Sequence, residues 1–488
     1  MTAFDCIIRN SRVATASDVF ESDIGIRDGR VAALAENLSG AAETIDAAGR
    51  WVTPGGVDGH CHLDQPTSDG TRMADDFRSG TVSAAHGGTT TVIPFACQFK
   101  GQSLNDVVAD YHARATDKAV IDYAFHLIIS DPSPAVLETE LPALIARGYT
   151  HFKLYMTYDD MKLNDRQMLD VLELARRNGA MVMIHAENSD CIGWLTDRLE
   201  QAGKTAPYYH AVSRPPVVER EATYRAIAFS DLMDTPILIV HVSGRDATEE
   251  IRRGQARGLR IYGETCPQYL FLTAADLQKD GFEGAKCICS PPPRTPADQA
   301  YMWSALADGV FSIFSSDHAP FRFADPQGKQ HGRAQEGFRW VPNGIPGLET
   351  RLPLLFTHGV LEGRIDIRDF VALTATNPAQ MYGLDAAKGT IAVGADADIV
   401  IWDEKPPFPL TNDMLHHNVD YTPYEGIELK AWPGIVMSRG AVIIRDGQLQ
   451  AEPGRGRFLP SALPAPARPN RPEDPTPYFV EPVSEVLP

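Results

Sequence analysis

A chain of 488 residues with 43% hydrophobic and 22% charged residues has the apolar content for a large core, which excludes a disordered or fibrous polypeptide, and is longer than one ordinary core. Its 45 Lys and Arg against 64 Asp and Glu leave a formal charge of -19, which repels a phosphate backbone, and no basic stripe offsets it, so no nucleic acid partner is expected. The seven cysteines (Cys6, Cys61, Cys97, Cys191, Cys266, Cys287, Cys289) are too scattered for a disulfide framework, the start "MTAFDCIIRNSRVATASD" lacks a signal-peptide pattern, and runs such as "PILIV" fall far short of the ~20 residues of a membrane helix; a cytoplasmic protein without a membrane partner is expected.

Residues 4–52 read as short strands and turns, in "DCIIRNSRVATA", "SDIGIRDGRVAAL" and "ETIDAAGRWVTP", with "RDGR" as a hairpin signal. Next comes "TPGGVDGHCHLDQP" (53–66), which sets His60 and His62 one residue apart behind a Gly-rich bend. A strand points alternate side chains to one face, so the two imidazoles can converge. From there apolar strands alternate with helical stretches. The candidate strands are "WVTPGGVDGH" (51–60), "TTTVIPF" (89–95), "VIDYAFHLII" (120–129), "THFKLYM" (150–156), "AMVMIH" (180–185), "PILIVHVS" (236–243), "RIYGET" (260–265) and "VFSIFSSD" (310–317). The helical stretches include "LNDVVADYHARATDK", "DRQMLDVLELARRNG" and "ATEEIRRGQARG". Eight such units predict an α/β fold, a (β/α)₈ TIM barrel with its active site at the carboxyl ends of the strands.

Short strands return in "GTIAVGADADIVIWD" and "IVMSRGAVIIRDGQ", so both chain ends predict one small β-sandwich domain. The expected division is 1–54 with 379–460 for that domain, 55–378 for the barrel, and 461–488 for a Pro-rich extended arm. The arm's end, "YFVEPV", is apolar enough to dock on a neighbouring subunit.

The barrel reading gives the histidine pair its context. Lys153 lies in the fourth strand, His185 ends the fifth, His241 is near the end of the sixth and Asp317 ends the eighth. Taken singly each has a bland reading: a hydrogen-bonded core histidine, a lysine snorkelling from a sheet edge, an aspartate capping a turn. Their joint placement at strand ends is what a barrel needs to assemble a metal cluster from distant sequence. His318, His416 and His417 are assigned to folding or contact, Glu187 is either a partner for His185 or a loop carboxylate, and the CxC of Cys287 and Cys289 lacks the second pair of a zinc knuckle.

These residues carry a resemblance. "GHCHLD", "FKLYMTY", "MIHAEN", "IVHVSG", "SSDHAPF" and "PNGIPGLE", in this order, are similar to the dihydropyrimidinase and hydantoinase branch of the amidohydrolase superfamily. Supporting stretches are "GKTAPYYHAVSRPPVVEREA", "NPAQMYGL", "GADADIVIWD", "HHNVDYTPYEG" and "GRGRFLP", so the likeness runs from residue 4 to about 460. It implies a binuclear site for two divalent ions, usually zinc, with His60, His62 and Asp317 at the more buried ion and His185 and His241 at the more exposed one. Lys153 would bridge both as an N-carboxylated lysine, because a carbamate is an anionic two-oxygen ligand whereas an ammonium repels cations. The implied reaction is hydrolysis of a cyclic amide in a ureide or imide ring by a metal-bridging hydroxide. Asp317 would serve as general base and acid, and Tyr158 as the phenol facing the oxyanion. Ser290 in "KCICSPPPR" and Asn343 in "VPNGIPG" match the branch's substrate clamp, mainly through backbone groups. The family also implies a homo-oligomer, tetramer or dimer.

The competing readings are an allantoinase-like enzyme, a cyclic imide hydrolase, and a non-catalytic scaffold relative that has lost its ligands. The Tyr158 context favours the dihydropyrimidinase branch over allantoinase. The scaffold reading is disfavoured because His60, His62, Lys153, His185, His241 and Asp317 are all present. Gln65 stands where many hydantoinases carry an apolar residue, so the ring chemistry is better specified than the ring.

Overall fold

The computed structural model describes residues 3–474. Its central sheet is a parallel array in chain order. The strands are Gly56–Cys61, Thr89–Cys97, His126–Ile128, His151–Tyr155, Met181–His185, Ile237–Ile239, Ile261–Thr265 and Ile313–Phe314, with the short Asp122–Tyr123 paired beside the second. Each pairs in parallel with its predecessor, and a bridge between Cys61 and His318, with His62 N–H donating to His318 C=O at 2.7 Å, joins the last strand to the first. This closes the expected (β/α)₈ barrel. All strand residues but Tyr262 are buried, as a sheet covered on both faces requires.

The helices begin where polar caps permit. Asp165–Asn178 starts on a capping box between Asn164 and Gln167 and ends on Gly179 in the left-handed conformation (φ 71). Its core face of Met168, Val171, Leu172 and Ala175 follows the helical period. Leu104–Ala115 and Arg245–Ala256 fall within a few residues of the expected stretches.

Residues 51–60 are not one strand. Trp51–Pro54 pairs with Phe4–Ala14 and Ile399–Pro409 in the second sheet, while Gly56–Cys61 pairs with the second barrel strand. The break sits at Gly55, where a Cβ would stand 2.3 Å from Thr90 Oγ1, so the chain passes between sheets only because no side chain intervenes.

The second sheet takes strands from both chain ends: Phe4–Ala14, Val19–Arg27, Arg30–Ala35, Ala41–Asp46 and Trp51–Pro54 from one, Ile399–Pro409, Glu428–Ser438, Ala441–Arg445 and Gln448–Leu449 from the other. A shared core of Ile8, Ile24, Ile26, Val52, Ile399, Ile401 and Met437 unites them as the expected β-sandwich. Trp402 stacks flat on Phe356 of the barrel periphery, with ring centroids 4.1 Å apart, and its indole N–H donates to Thr53 Oγ1.

A buried charge cluster fastens sandwich to barrel. Lys388 Nζ reaches Asp122 of the barrel sheet at 2.7 Å, Asp398 at 2.9 Å and Asp396 at 3.0 Å. Burial lowers this lysine, but the three carboxylates outweigh it and raise it above its ordinary value.

Residues 461–474 run along the amino ends of the barrel strands of their own chain. Ser461 N–H donates to Gly148 C=O, Asn470 and Arg471 N–H groups donate to the Asp234 carboxylate, and Arg176 donates to Arg471 C=O. The apolar "YFVEPV" lies outside the described residues.

Replacing Lys388 by Met takes the shared cation from Asp122, Asp398 and the half-buried Asp396, and leaves Arg439 on Asp122 and Arg30 on Asp396. The expected outcome is a loss of about 3–5 kcal/mol, read as a lowered denaturant midpoint in equilibrium unfolding.

Candidate metal centre

The barrel mouth gathers the polar strand ends. His60 and His62 project from the first strand to one side, as alternate residues must, and both Nε2 atoms face Asp317 Oδ1, at 3.3 and 3.5 Å. One ligand-type atom from each of His60, His62 and Asp317 lies within 4.8 Å of the others. Lys153, fully buried in the fourth strand, puts Nζ 3.3 Å from His60 Nε2. The His241 ring centroid stands 5.3 Å from that of His60 and 4.4 Å from that of His185. All six predicted ligand residues therefore converge. The registers are short, so His241 falls two residues past its strand at φ 40 and Asp317 three past its own at φ 47, both in left-handed backbone.

Three of the four rings, those of His60, His62 and His185, are aimed by a hydrogen bond from one nitrogen. His60 Nδ1–H donates to Glu264 Oε1 at 2.6 Å, His62 Nδ1–H to Gln65 Oε1 at 2.6 Å, and His185 Nε2–H to Glu187 Oε2 at 2.7 Å. These acceptors leave one lone pair per ring free for the centre. Gln65 thereby has a role: it holds the ring of a histidine three residues before it. Glu187 is the carboxylate partner of His185 and also accepts from Arg214 Nη1 at 2.8 Å.

Sequence reasoning missed Glu264, although an acid near the end of an apolar strand, in "RIYGET", carries the same signal as Asp317. It also missed the Asp58 and Arg351 pair. Asp58 Oδ1 accepts the backbone N–H groups of His60 at 3.1 Å and Ser316 at 3.3 Å, while Arg351 donates to Phe314 C=O at 2.7 Å and to Thr89 Oγ1 at 3.0 Å. Strands one, two and eight are thus locked in register directly below the ligands. His318 accepts N–H from Gly347 at 3.1 Å and bonds Asp75, and His416 bonds Glu349, as structural histidines do.

The electrostatics follow from burial. His60, His185 and His241 are pushed below the ordinary imidazole value chiefly by burial, so they are neutral bases with a lone pair to give. Burial raises Asp317, but His60, His62 and Lys153 outweigh it and hold the carboxyl below its usual value. Burial pushes Glu264 up to about 8. Against burial, Arg214 and His185 hold Glu187 at about 2. Among the described residues, His241 Nδ1 is buried without a hydrogen-bond partner and Lys153 makes no ion pair. A cluster of neutral imidazoles around a carboxylate, with an orphaned ring nitrogen, suits a divalent cation better than it suits a dry core.

Tyr158 lies beside the centre on a tight loop at φ 66, its ring edge-on to His185 with centroids 5.4 Å apart. Its hydroxyl accepts from Asn343 Nδ2 at 3.4 Å and bonds Ser290, so the three predicted substrate contacts meet in one place. The geometry offers neutral imidazoles, one ionised carboxylate and a protonated phenol over a common floor.

Comparison with known proteins agrees with this assembly. Residues 51–443 match the model of the amidohydrolase family. The chain is 45% identical to a D-hydantoinase of Ralstonia pickettii over 457 residues, covering 93% of this chain and 98% of the relative. It is 44% identical to a D-hydantoinase of Geobacillus stearothermophilus, covering 93% and 96%. Among solved structures, a dihydropyrimidinase from Brevibacillus agri superposes with a TM-score of 0.91 at 42% identity, covering 94% of this chain and 99% of that one.

Gln65→Leu removes the acceptor that aims His62 while keeping the residue's bulk. Metal affinity is expected to fall by about 10- to 100-fold in competition with a chelating indicator, with the circular dichroism spectrum unchanged.

Proposed function

This chain belongs to the amidohydrolase family, in its hydantoinase and dihydropyrimidinase branch, and from that premise we propose that it opens a cyclic ureide, with Tyr158, Ser290 and Asn343 receiving the ring. The observation that carries this reading is the grouping of His60, His62 and Asp317 within 4.8 Å, with Lys153, His241 and His185 packed in turn against them, beside a partly buried phenol. Two divalent ions, zinc in this proposal, would be held by His60, His62 and Asp317 on one side and His185 and His241 on the other, with Lys153 carboxylated between them. When bound they would acidify water and polarise the ring carbonyl.

The chain's own residues do the rest. Asp317, kept ionised, accepts a proton from the attacking water and delivers it to the ring nitrogen as the C–N bond breaks. The products are a carboxylic acid and a freed urea nitrogen on one chain, so atoms balance with water as the only co-reactant. Tyr158, raised by burial and therefore protonated at neutral pH, donates to the oxygen that gains charge. Backbone groups at Ser290 and Asn343 pair with the ring's N–H and C=O edge. Lys153 suits carboxylation because it is wholly buried and makes no ion pair among the described residues that a carbamate would break.

We also propose a homo-oligomer, dimer or tetramer, working in the cytoplasm. Supporting it, Trp194, Val217 and Tyr224 are 60%, 47% and 62% exposed on the helices Ser189–Gln201 and Pro216–Met233. No helix among the described residues is long and apolar enough to cross a membrane.

The decisive experiment is a screen of hydantoin, dihydrouracil and succinimide with metal-replete protein. Turnover of a ureide with release of an N-carbamoyl acid is expected, and turnover of none of the three sinks the reading. In the same assay, Lys153→Ala is expected to lose binuclear loading by elemental analysis. Asp317→Asn is expected to cost about 10²- to 10⁴-fold in kcat, with KM little changed.

A further inference from the structure

One lysine away from the ligands joins the two loops on which the ring is read. Lys329 is fully buried, and its Nζ donates to Ile288 C=O at 2.9 Å and to Pro342 C=O at 2.7 Å. Ile288 stands two residues before Ser290, and Pro342 is next to Asn343. The loops also meet directly, because Gly344 N–H donates to the same Ile288 C=O at 3.0 Å. The lysine is itself held from behind. Its backbone N–H donates to Arg322 C=O at 2.8 Å, and the preceding Gly328 lies so close that a Cβ would stand 2.1 Å from that oxygen.

Among the described residues Lys329 has no carboxylate partner; the titratable groups facing it there are the thiols of Cys287 and Cys289 and the imidazole of His210. Burial pulls it down to about 7, and the amine has at least two N–H groups to donate in either charge state. An apolar side chain of similar length would fill this space without the desolvation cost. What it could not do is grip two carbonyls from different loops at a fixed separation.

We propose that Lys329 is a positioning residue that sets the spacing between the Ser290 and Asn343 arms, and through it the ring size the mouth accepts. This rests on the cyclic-amidase reading above. Hydantoin and dihydrouracil present the same kind of ureide edge on rings of five and six members, so a change in spacing is felt unequally by the two.

The test uses full-length, metal-loaded Lys329→Met and Lys329→Gln, with steady-state kinetics on both rings and metal content measured alongside. The Met variant is expected to raise KM about tenfold, the scale of losing one or two strong hydrogen bonds. Its hydantoin to dihydrouracil ratio of kcat/KM should shift about threefold or more while metal content stays at the wild-type value. The Gln variant retains two donors on a shorter arm and should shift the ratio as well, which keeps the test open if the Met variant does not fold. Wild-type KM and ratio in either folded variant would overturn the spacer role while leaving the amidase reading intact. Failure of the wild type to turn over either ring would instead overturn both.

Discussion

A buried imidazole has two nitrogens, and the hydrogen bond made by one decides which is left free to meet a metal and how the ring is turned. In this mouth the commitments are Glu264 for His60, Gln65 for His62 and Glu187 for His185. Each fixes a tautomer and a ring orientation, and each requires its own framework. Glu264 must come from the seventh strand, Gln65 from a loop held by Asp64 N–H on Asp75 C=O, and Glu187 from a turn tied down by Arg214. The barrel's strand register and its mouth loops therefore shape the candidate centre as much as the residues that converge on it.

The register is guarded by charge. Arg351 and Asp58 have no exposure, and burial opposes the charged form of each. Their hydrogen bonds to strand backbones fix the exit of strand eight relative to strand one, which is where Asp317 meets His60 and His62. Lys388 performs the corresponding task at the sandwich, where the first barrel strand leaves the other sheet at Gly55. Burying such ion pairs offsets much of their Coulombic gain, whereas removing one partner strands the other, so each pair acts as a unit.

The strand and helix alternation, the His60 and His62 pair and the lone polar residues at Lys153, His185, His241 and Asp317 were legible because they are local patterns. A period of two, a helical period and a change from apolar to polar need no partner to be seen. The partners that aim the ligands were not legible: Glu264 lies 204 residues from His60, and Arg351 and Thr89 are 262 residues apart. Strand ends were overestimated for a related reason. The sixth run, 236–243, is apolar up to Val240, yet only Ile237–Ile239 forms ladder, because the chain bends away at His241 to present a ring rather than to continue the sheet. The split of residues 51–60 likewise depends on Thr90 pressing against Gly55, a contact between segments that no window of sequence contains.

Gln65 joins these levels. Read alone it departs from an apolar expectation and suggests an unusual substrate pocket; in the fold its oxygen is occupied by His62. Its side chain also borders an open cavity of about 300 Å³ lined by Asp64, Thr67, Thr71, Arg72, Met73 and Arg114. A glutamine can meet both demands because its oxygen accepts while its amide nitrogen still donates, whereas an apolar residue would leave His62 to find another acceptor. The polarity of this loop is thus explained from the metal side first, and substrate preference has to be built around an amide already committed there. That order of constraint makes the loops opposite Gln65, which carry Ser290 and Asn343 and are joined through Lys329, the freer place for specificity to vary.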